Sequence, residues 1–177
     1  MSENSYEKGR LNLPFVGFCT FAKSPIAEDW DNIKADVAFM GAPYDCGTQW
    51  RSGARMGPRS IREASTLFSF GHGGAYSYED DTMYLQGVSI VDMGDADMIH
   101  TNTEQSHANI EYAVRKALAA GVLPVVAGGD HSINAPCIQA FDDQGPIHII
   151  QIDAHLDFVD ERHGVRFGHG NPIRRAS

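Results

Sequence analysis

Cysteine is scarce in this chain, and the few present form no pattern. Cys19, Cys46 and Cys137 are an odd number with no metal-type spacing. This argues against a disulfide framework or a thiolate metal site and fits a reducing cytosol. Long apolar runs are missing as well. No stretch approaches the ~18 apolar residues that read as a membrane span, and Met1 to Arg10 is polar, without an apolar signal core. A cytoplasmic protein with no membrane role is expected. Positive charge is also short: 14 Lys and Arg against 23 Asp and Glu leave a formal net charge of −9. The basic residues are dispersed, so the basic face that phosphate binding needs is lacking, and nucleic acid is not expected as a partner. The acidic excess favours small cationic substrates instead.

The rest of the composition is that of one globular domain. A chain of 177 residues, 42% hydrophobic and 21% charged, is long enough for a real core. Residues 1–34 are irregular, interrupted by Pro14, Gly17 and Pro25, and read as an N-terminal arm. From 35 onward the pattern alternates. Residues 35–41 predict a first core strand, and a loop rich in glycine and arginine follows. Pro58 is placed to open a helix continuing through 59–67. Gly71 to Asp81 reads as a loop and Gln86 to Met93 as a strand burying Val88, Ile90 and Val91. Glu104 to Ala120 is the clearest helix, with Ile110, Ala113, Val114, Ala117 and Leu118 at helical spacing and Gly121 as its stop. Val122 to Ala127 predicts a strand, Ser132 to Phe141 a short helix, and Ile147 to Ile152 a last, buried strand. Strands alternating with helices imply an α/β fold: three layers, α-β-α, around a mostly parallel sheet. Ligands in such sheets gather at the carboxyl ends of the strands.

Two clusters of metal-binding residue types lie at those ends. Asp153, His155 and Asp157 follow the run Ile147 to Ile152. Alternate residues on a strand point to one side, about 6.6 Å apart, so two carboxylates and an imidazole are expected to face one spot. The second cluster, Gly128-Gly129-Asp130-His131-Ser132, follows the run ending at Ala127. The glycines allow a tight turn that delivers His131. Together the clusters suggest a binuclear metal site. Oxygen and nitrogen donors without thiolate favour Mn, or another divalent ion, over structural zinc. Asp130 reads either as part of the site or as hydrogen-bonding support for it. His169, in Phe167-Gly168-His169-Gly170-Asn171-Pro172, is either a proton shuttle or substrate contact, or a surface-loop histidine. His72, His100, His107, His148 and His163 have no supporting spacing and read as structural. Arg51, Arg55 and Arg59 are expected to pin their loop through carboxylates.

These motifs resemble those of the ureohydrolases, the arginase and agmatinase family. The resemblance is carried by Gly-Gly-Asp-His-Ser at 128–132, Asp-Ala-His-Leu-Asp at 153–157, Gly53-Ala54-Arg55-Met56-Gly57-Pro58 with Ile61-Arg62, and His169-Gly170-Asn171-Pro172. It extends over most of the chain from about residue 35, and implies that 35–177 belongs to an arginase-like catalytic domain. It further implies hydrolysis of a guanidino group to urea and an amine at two Mn2+ ions, with Ni2+ or another divalent metal as an alternative. By this resemblance His131 and Asp157 would bind one metal, His155 the other, and Asp153 would bridge them. His169 would be the acid/base residue near the leaving amine. A small cationic guanidino substrate and a homo-oligomer, trimer or hexamer, are implied as partners.

The chain departs from the family pattern in two places. Arginases carry an asparagine shortly after the aspartate cluster, where this chain has Phe158-Val159-Asp160. Arginine itself is therefore disfavoured. Agmatine leads, giving putrescine and urea, with guanidinobutyrate, guanidinopropionate and guanidine behind it. Tyr44, Phe158 and the 163–169 loop are candidates for shaping that choice. Secondly, the family's third motif, Ser-x-Asp-x-Asp-x-x-Asp-Pro, does not occur up to Ser177. The chain is expected to be the N-terminal part of a ureohydrolase, lacking the later strands of the sheet, and alone to bind metal weakly and be inactive. Two other readings compete. Metallophosphoesterases use similar motifs in the reverse order and need a Gly-Asn-His element that Pro172 breaks. A non-catalytic paralogue, or one piece of a hetero-oligomer, fits the missing third motif.

Overall fold

The computed structural model describes residues 14–68 and 74–177. The polar stretch Met1 to Arg10, His72 and the start of the 71–81 loop lie outside the described residues.

The sheet at the centre has three parallel strands. β1 (Val37–Ala42) lies between β4 (Ile90–Asp95) and β5 (Leu123–Gly128). Parallel neighbours need crossover connections, and helices supply them. α1 (Gly57–Ser65) follows β1, α2 (Thr103–Ala119) joins β4 to β5, and α3 (Asn134–Gln139) follows β5. A short α4 (Pro172–Ala176) comes last.

The central strand shows why the layers form. Ala38, Met40 and Ala42 share one core cluster with Ile110, Ala113, Val114 and Ala117 of α2. Phe39, on the other face, lies under the Arg62 guanidinium of α1, 5.1 Å from ring centroid to Cζ. Period two along β1 thus meets α2 on one side and α1 on the other, the three-layer order expected. Helix α2 buries its stripe at i, i+3, i+4 and i+7, is capped by the Asn102 side chain accepting the Gln105 N–H, and yields at Gly121, where φ is 71°. Each large side chain fully buried here, Met40, Ile110 and Val114 among them, contributes roughly 1.5–3 kcal/mol.

One charged group is built into the α1 face. Arg62 is buried and forks onto Asp92, Nε to Oδ2 at 2.8 Å and Nη2 to Oδ1 at 3.0 Å. It also reaches Asp95 at 2.6 Å and the Gly94 carbonyl at 2.7 Å. The β1–β4 register shifts between Phe39 and Gly41 and sets Asp95 opposite Gly41, where any side chain would collide with that carboxylate. Residues 25–27 of the arm bridge to β4 at Asp92. Asp92 exchanges backbone hydrogen bonds with Pro25 and Ala27, and Phe21 stacks on Phe39 at 4.2 Å.

Three expectations fail. The expected loop from Gly71 to Asp81 contains β2 (Ala75–Ser77), which pairs with β3 (Thr82–Tyr84) just beyond it in an antiparallel hairpin. β4 begins at Ile90, so Val88 stays outside it and is 37% exposed. Most important, Ile147 to Ile152 form no strand, and Ile150 and Ile152 are 89% and 98% exposed. A parallel strand reads as a continuous apolar run only when both faces are covered and an edge is paired. Among the described residues neither condition is met.

Candidate metal centre

β1 and β5 end together, with Ala42 opposite Gly128. The chain leaving each is therefore delivered to the same edge of the sheet. Gly129 has φ 78°, and a side chain there would run into the carbonyls of Ala42 and Tyr44, so the crossing demands glycine. It is held by the Asp130 N–H donating to the Tyr44 carbonyl at 2.7 Å and the Gly129 N–H to that of Ala54 at 3.2 Å.

Asp130 is buried and does structural work on two sides. Oδ1 accepts the Ser132 N–H at 2.8 Å, capping the 3-10 turn His131–Ile133, and Oδ2 accepts the Gly47 N–H at 2.7 Å. The Gly47 carbonyl accepts the His169 N–H at 3.2 Å. The backbones carrying His131 and His169 are thus linked through one carboxylate and one glycine, which assigns Asp130 the supporting role. The loop that contains Gly47 is fastened by Asp45. Its buried carboxylate accepts Arg55 Nε at 2.6 Å and the Gly53 N–H at 2.7 Å, and Arg55 holds its pKa down at about 2. Pinning therefore describes Arg55. Arg51 and Arg59 make no ion pair among the described residues.

His131, Asp153 and Asp157 converge. One ligand atom from each lies within 4.8 Å of the others. His131 Nδ1 is 2.5 Å from Asp157 Oδ2 and 3.7 Å from Asp153 Oδ2, and the three side chains are only 22%, 18% and 25% exposed. The Asp153 carboxyl is held below the usual carboxylate range, first by the His155 N–H that donates to it at 2.8 Å. Among the described residues no Lys or Arg pairs with Asp153 or Asp157. Two carboxylates and an imidazole, drawn together without a cationic side chain among the described residues, fit a divalent cation. Asp157 has φ 44°, in the left-handed region, a conformation that costs on the order of 1 kcal/mol or more and clusters at functional sites.

His155 does not join them. The alternation argument required residues 153–157 to continue a strand, but the chain bends at 154–155 and no strand precedes it. His155 is left 81% exposed, with Nδ1 3.5 Å from Asp153 Oδ1. His169 is also outside the three-residue cluster. It is half-buried in a turn clamped to the cluster's own segment: Asn171 Nδ2 donates to the Val159 carbonyl at 2.7 Å, and the Val159 N–H to that of Gly170 at 3.1 Å. Phe158, a candidate for substrate choice, has the Arg174 guanidinium 5.4 Å from its ring centroid and is otherwise exposed.

His107 carries more than sequence spacing suggested. It is buried between Tyr44 and Phe167, its ring edge-on to both at 5.0 and 5.9 Å, with Nε2 3.4 Å from Ser132 Oγ. Its helical spacing to Ile110 and Val114, passed over in the sequence reading, puts it on the buried face.

Known proteins resemble this chain. The sequence model of the arginase family matches residues 35–177. The chain belongs to the arginase family. It is 36% identical to a human mitochondrial guanidino acid hydrolase over 161 residues, which are 90% of this chain and 44% of that protein. Chicken mitochondrial agmatinase is 34% identical, over 90% of this chain and 45% of its own length. The chain thus spans about half the length of these curated relatives. Among solved structures, a hypothetical agmatinase from Burkholderia thailandensis superposes with a TM-score of 0.78 at 26% identity, covering 94% of this chain and 51% of that one. A Trypanosoma cruzi formiminoglutamase with Mn2+ superposes at 0.67 and 29% identity, over 80% and 47%. These likenesses also bear out the arginase-like α/β fold. No helix among the described residues is long and apolar enough to cross a membrane.

Proposed function

We propose that this chain carries metal ligands and the proton-relay histidine of a hydrolase that splits a linear guanidino compound into urea and an amine. The observation that carries it is the convergence of His131, Asp153 and Asp157 at the carboxyl ends of two parallel strands, in a member of the arginase family. The names of the human and chicken relatives, a guanidino acid hydrolase and an agmatinase, point to the same reaction class.

Guanidinium is delocalised and its carbon is a poor electrophile. A bound divalent metal would supply a water of lowered pKa as nucleophile at neutral pH. His131, Asp153 and Asp157 would hold a divalent ion, and His155, which lies outside that cluster, is proposed only as a ligand of a second. The carboxylates also attract the cationic substrate head to this spot. His169, fixed through Gly47, has an imidazole suited to passing a proton to the departing amine nitrogen. Agmatine is the substrate that the Phe158-Val159-Asp160 departure favours, with guanidino acids as the alternative. A cytoplasmic location and a homo-oligomeric assembly belong to the same proposal.

The test is urea release by the whole protein from a panel of guanidino compounds with Mn2+ or Ni2+. The reading requires release that is abolished by Asp153→Ala and strongly reduced by His169→Ala. Metal binding without turnover of any guanidino compound sinks it. A second reading, one piece of an assembly completed by another polypeptide, is favoured by the exposed Ile150 and Ile152. It requires urea release to appear only in a complex.

A further inference from the structure

Beside the metal cluster lies a cavity of about 680 Å³ that the mechanism above does not use. A single turn of chain, Gly168 to Asn171, separates the two. Gly168 and Asn171 line the cavity, while Gly170 lies on the other side, its Cβ position 4.0 Å from Asp157 Oδ1. His169 sits in the dividing turn. Gly47 lines the cavity as well, and its N–H is bonded to Asp130 beside His131. A substrate whose head lies at the metal cluster and whose tail extends past His169 would enter this space.

The chemistry of the lining runs against the rest of the molecule. In a chain of net charge −9, the cavity is lined by Arg162, Arg166 and His163 and by no carboxylate. Arg162 makes no ion pair among the described residues. Its backbone is locked by reciprocal hydrogen bonds with Val165 at 2.9 and 3.0 Å, so the guanidinium projects from a fixed turn. Arg166 meets Asp160 at 3.3 Å, but that carboxylate is already bonded to Arg175 and lies 3.9 Å from Arg174. Three guanidinium groups share one counter-charge. Thr48 lines the same cavity, and its buried hydroxyl has no hydrogen-bond partner, an orphan that a ligand oxygen would satisfy. Tyr44 and Phe167 supply apolar wall for a methylene chain.

We propose that this cavity receives the carboxylate end of an ω-guanidino acid, with Arg162 as the residue that selects it. The inference rests on the guanidino-hydrolase reading for the other end of the same substrate. It displaces agmatine as the leading candidate, because the terminal ammonium of agmatine would face Arg162 and Arg166 with no carboxylate to meet it. A guanidinium against a carboxylate is a charge-assisted and often bidentate pair, so the choice between the two tails is a choice of sign.

Titration of 4-guanidinobutyrate and of agmatine into the full chain with Mn2+, in parallel with urea assays, tests this. Wild-type protein should bind 4-guanidinobutyrate at least about tenfold more tightly than agmatine, the scale of one charged hydrogen bond. Arg162→Ala should remove the difference through affinity and KM with little effect on kcat, Arg162→Lys should keep part of it, and Arg162→Glu should reverse it. Arg162 is exposed, so these variants keep the fold. Equal or tighter binding of agmatine by the wild type, or a preference unmoved by Arg162→Ala, overturns the carboxylate site. The two readings fail separately. A carboxylate preference without urea from any guanidino compound removes the hydrolase and leaves the site. Urea released preferentially from agmatine leaves the hydrolase and removes the site.

Discussion

The carboxylate of Asp130 receives the N–H of Gly47 at 2.7 Å, across 83 residues of chain. With its other oxygen on Ser132 N–H, it fixes the turn that carries His131. Residues that orient a metal ligand without touching the ion are typically worth about 10–100-fold in affinity. Asp130→Ala should therefore weaken Mn2+ binding by roughly that factor while far-UV circular dichroism stays native. Unchanged affinity would show that Asp130 only caps a turn.

Metal should also stabilise the fold, and unequally through its ligands. An ion that binds only the folded state at 100 times its Kd adds about 2.7 kcal/mol. Thermal melts with Mn2+ and with EDTA should differ for the wild type. The difference should vanish in His131→Ala and Asp157→Ala, whose side chains meet at 2.5 Å, and should largely survive in His155→Ala, which is 81% exposed. A larger loss in His155→Ala than in His131→Ala would contradict the geometry.

Arg62 makes a prediction far from the metal. Its removal would strand Asp92, which is 2% exposed, without its cation. Breaking a buried pair on one side typically costs about 3–5 kcal/mol, whereas replacing both partners by apolar groups is often close to neutral. Arg62→Met should lower the urea midpoint sharply, and the double variant Arg62→Met with Asp92→Leu should recover much of it. Additive losses would mean that the pair contributes through packing alone.

Legibility in the sequence followed local periodicity and stopped where partners were needed. Helix α2 was readable from Glu104 to Ala120 and is found at Thr103–Ala119, because its stripe and its stop at Gly121 are encoded within one segment. β1 and β5 were readable because Gly41 and Gly128 end continuous apolar runs. Ile147 to Ile152 looked equally strand-like, yet strand formation depends on a paired edge that the segment does not itself contain. That failure passed to the site: without a strand, residues 153–157 lost their alternation, and His155 turned away while Asp153 and Asp157 still met His131. Asp130 was legible as hydrogen-bonding support but its bond to Gly47 was not, nor was the cavity beside Arg162, since both depend on contacts between segments more than 80 residues apart, from Gly47 to Asp130 and from Thr48 to the 162–168 loop.

The burial of His107 has a pH signature. Removal from water disfavours its imidazolium and pushes its pKa below the ordinary 6.5, against the opposing pull of Asp130. Tyr44 and Phe167 press on the ring, and Ser132 is its polar neighbour. In the unfolded chain the same imidazole takes up a proton near its ordinary pKa. Between that value and the lower folded pKa the unfolded state holds more protons, so stability falls as pH drops below about 6.5 and levels off only once the folded group titrates. Each pH unit in that window is worth up to about 1.4 kcal/mol. His107→Phe keeps an aromatic ring between Tyr44 and Phe167 and removes the proton. Urea midpoints at pH 7.5 and 5.5 should therefore fall further on acidification for the wild type than for the variant. Parallel losses in the two proteins would show that other groups set the acid sensitivity and that His107 is uncoupled from folding.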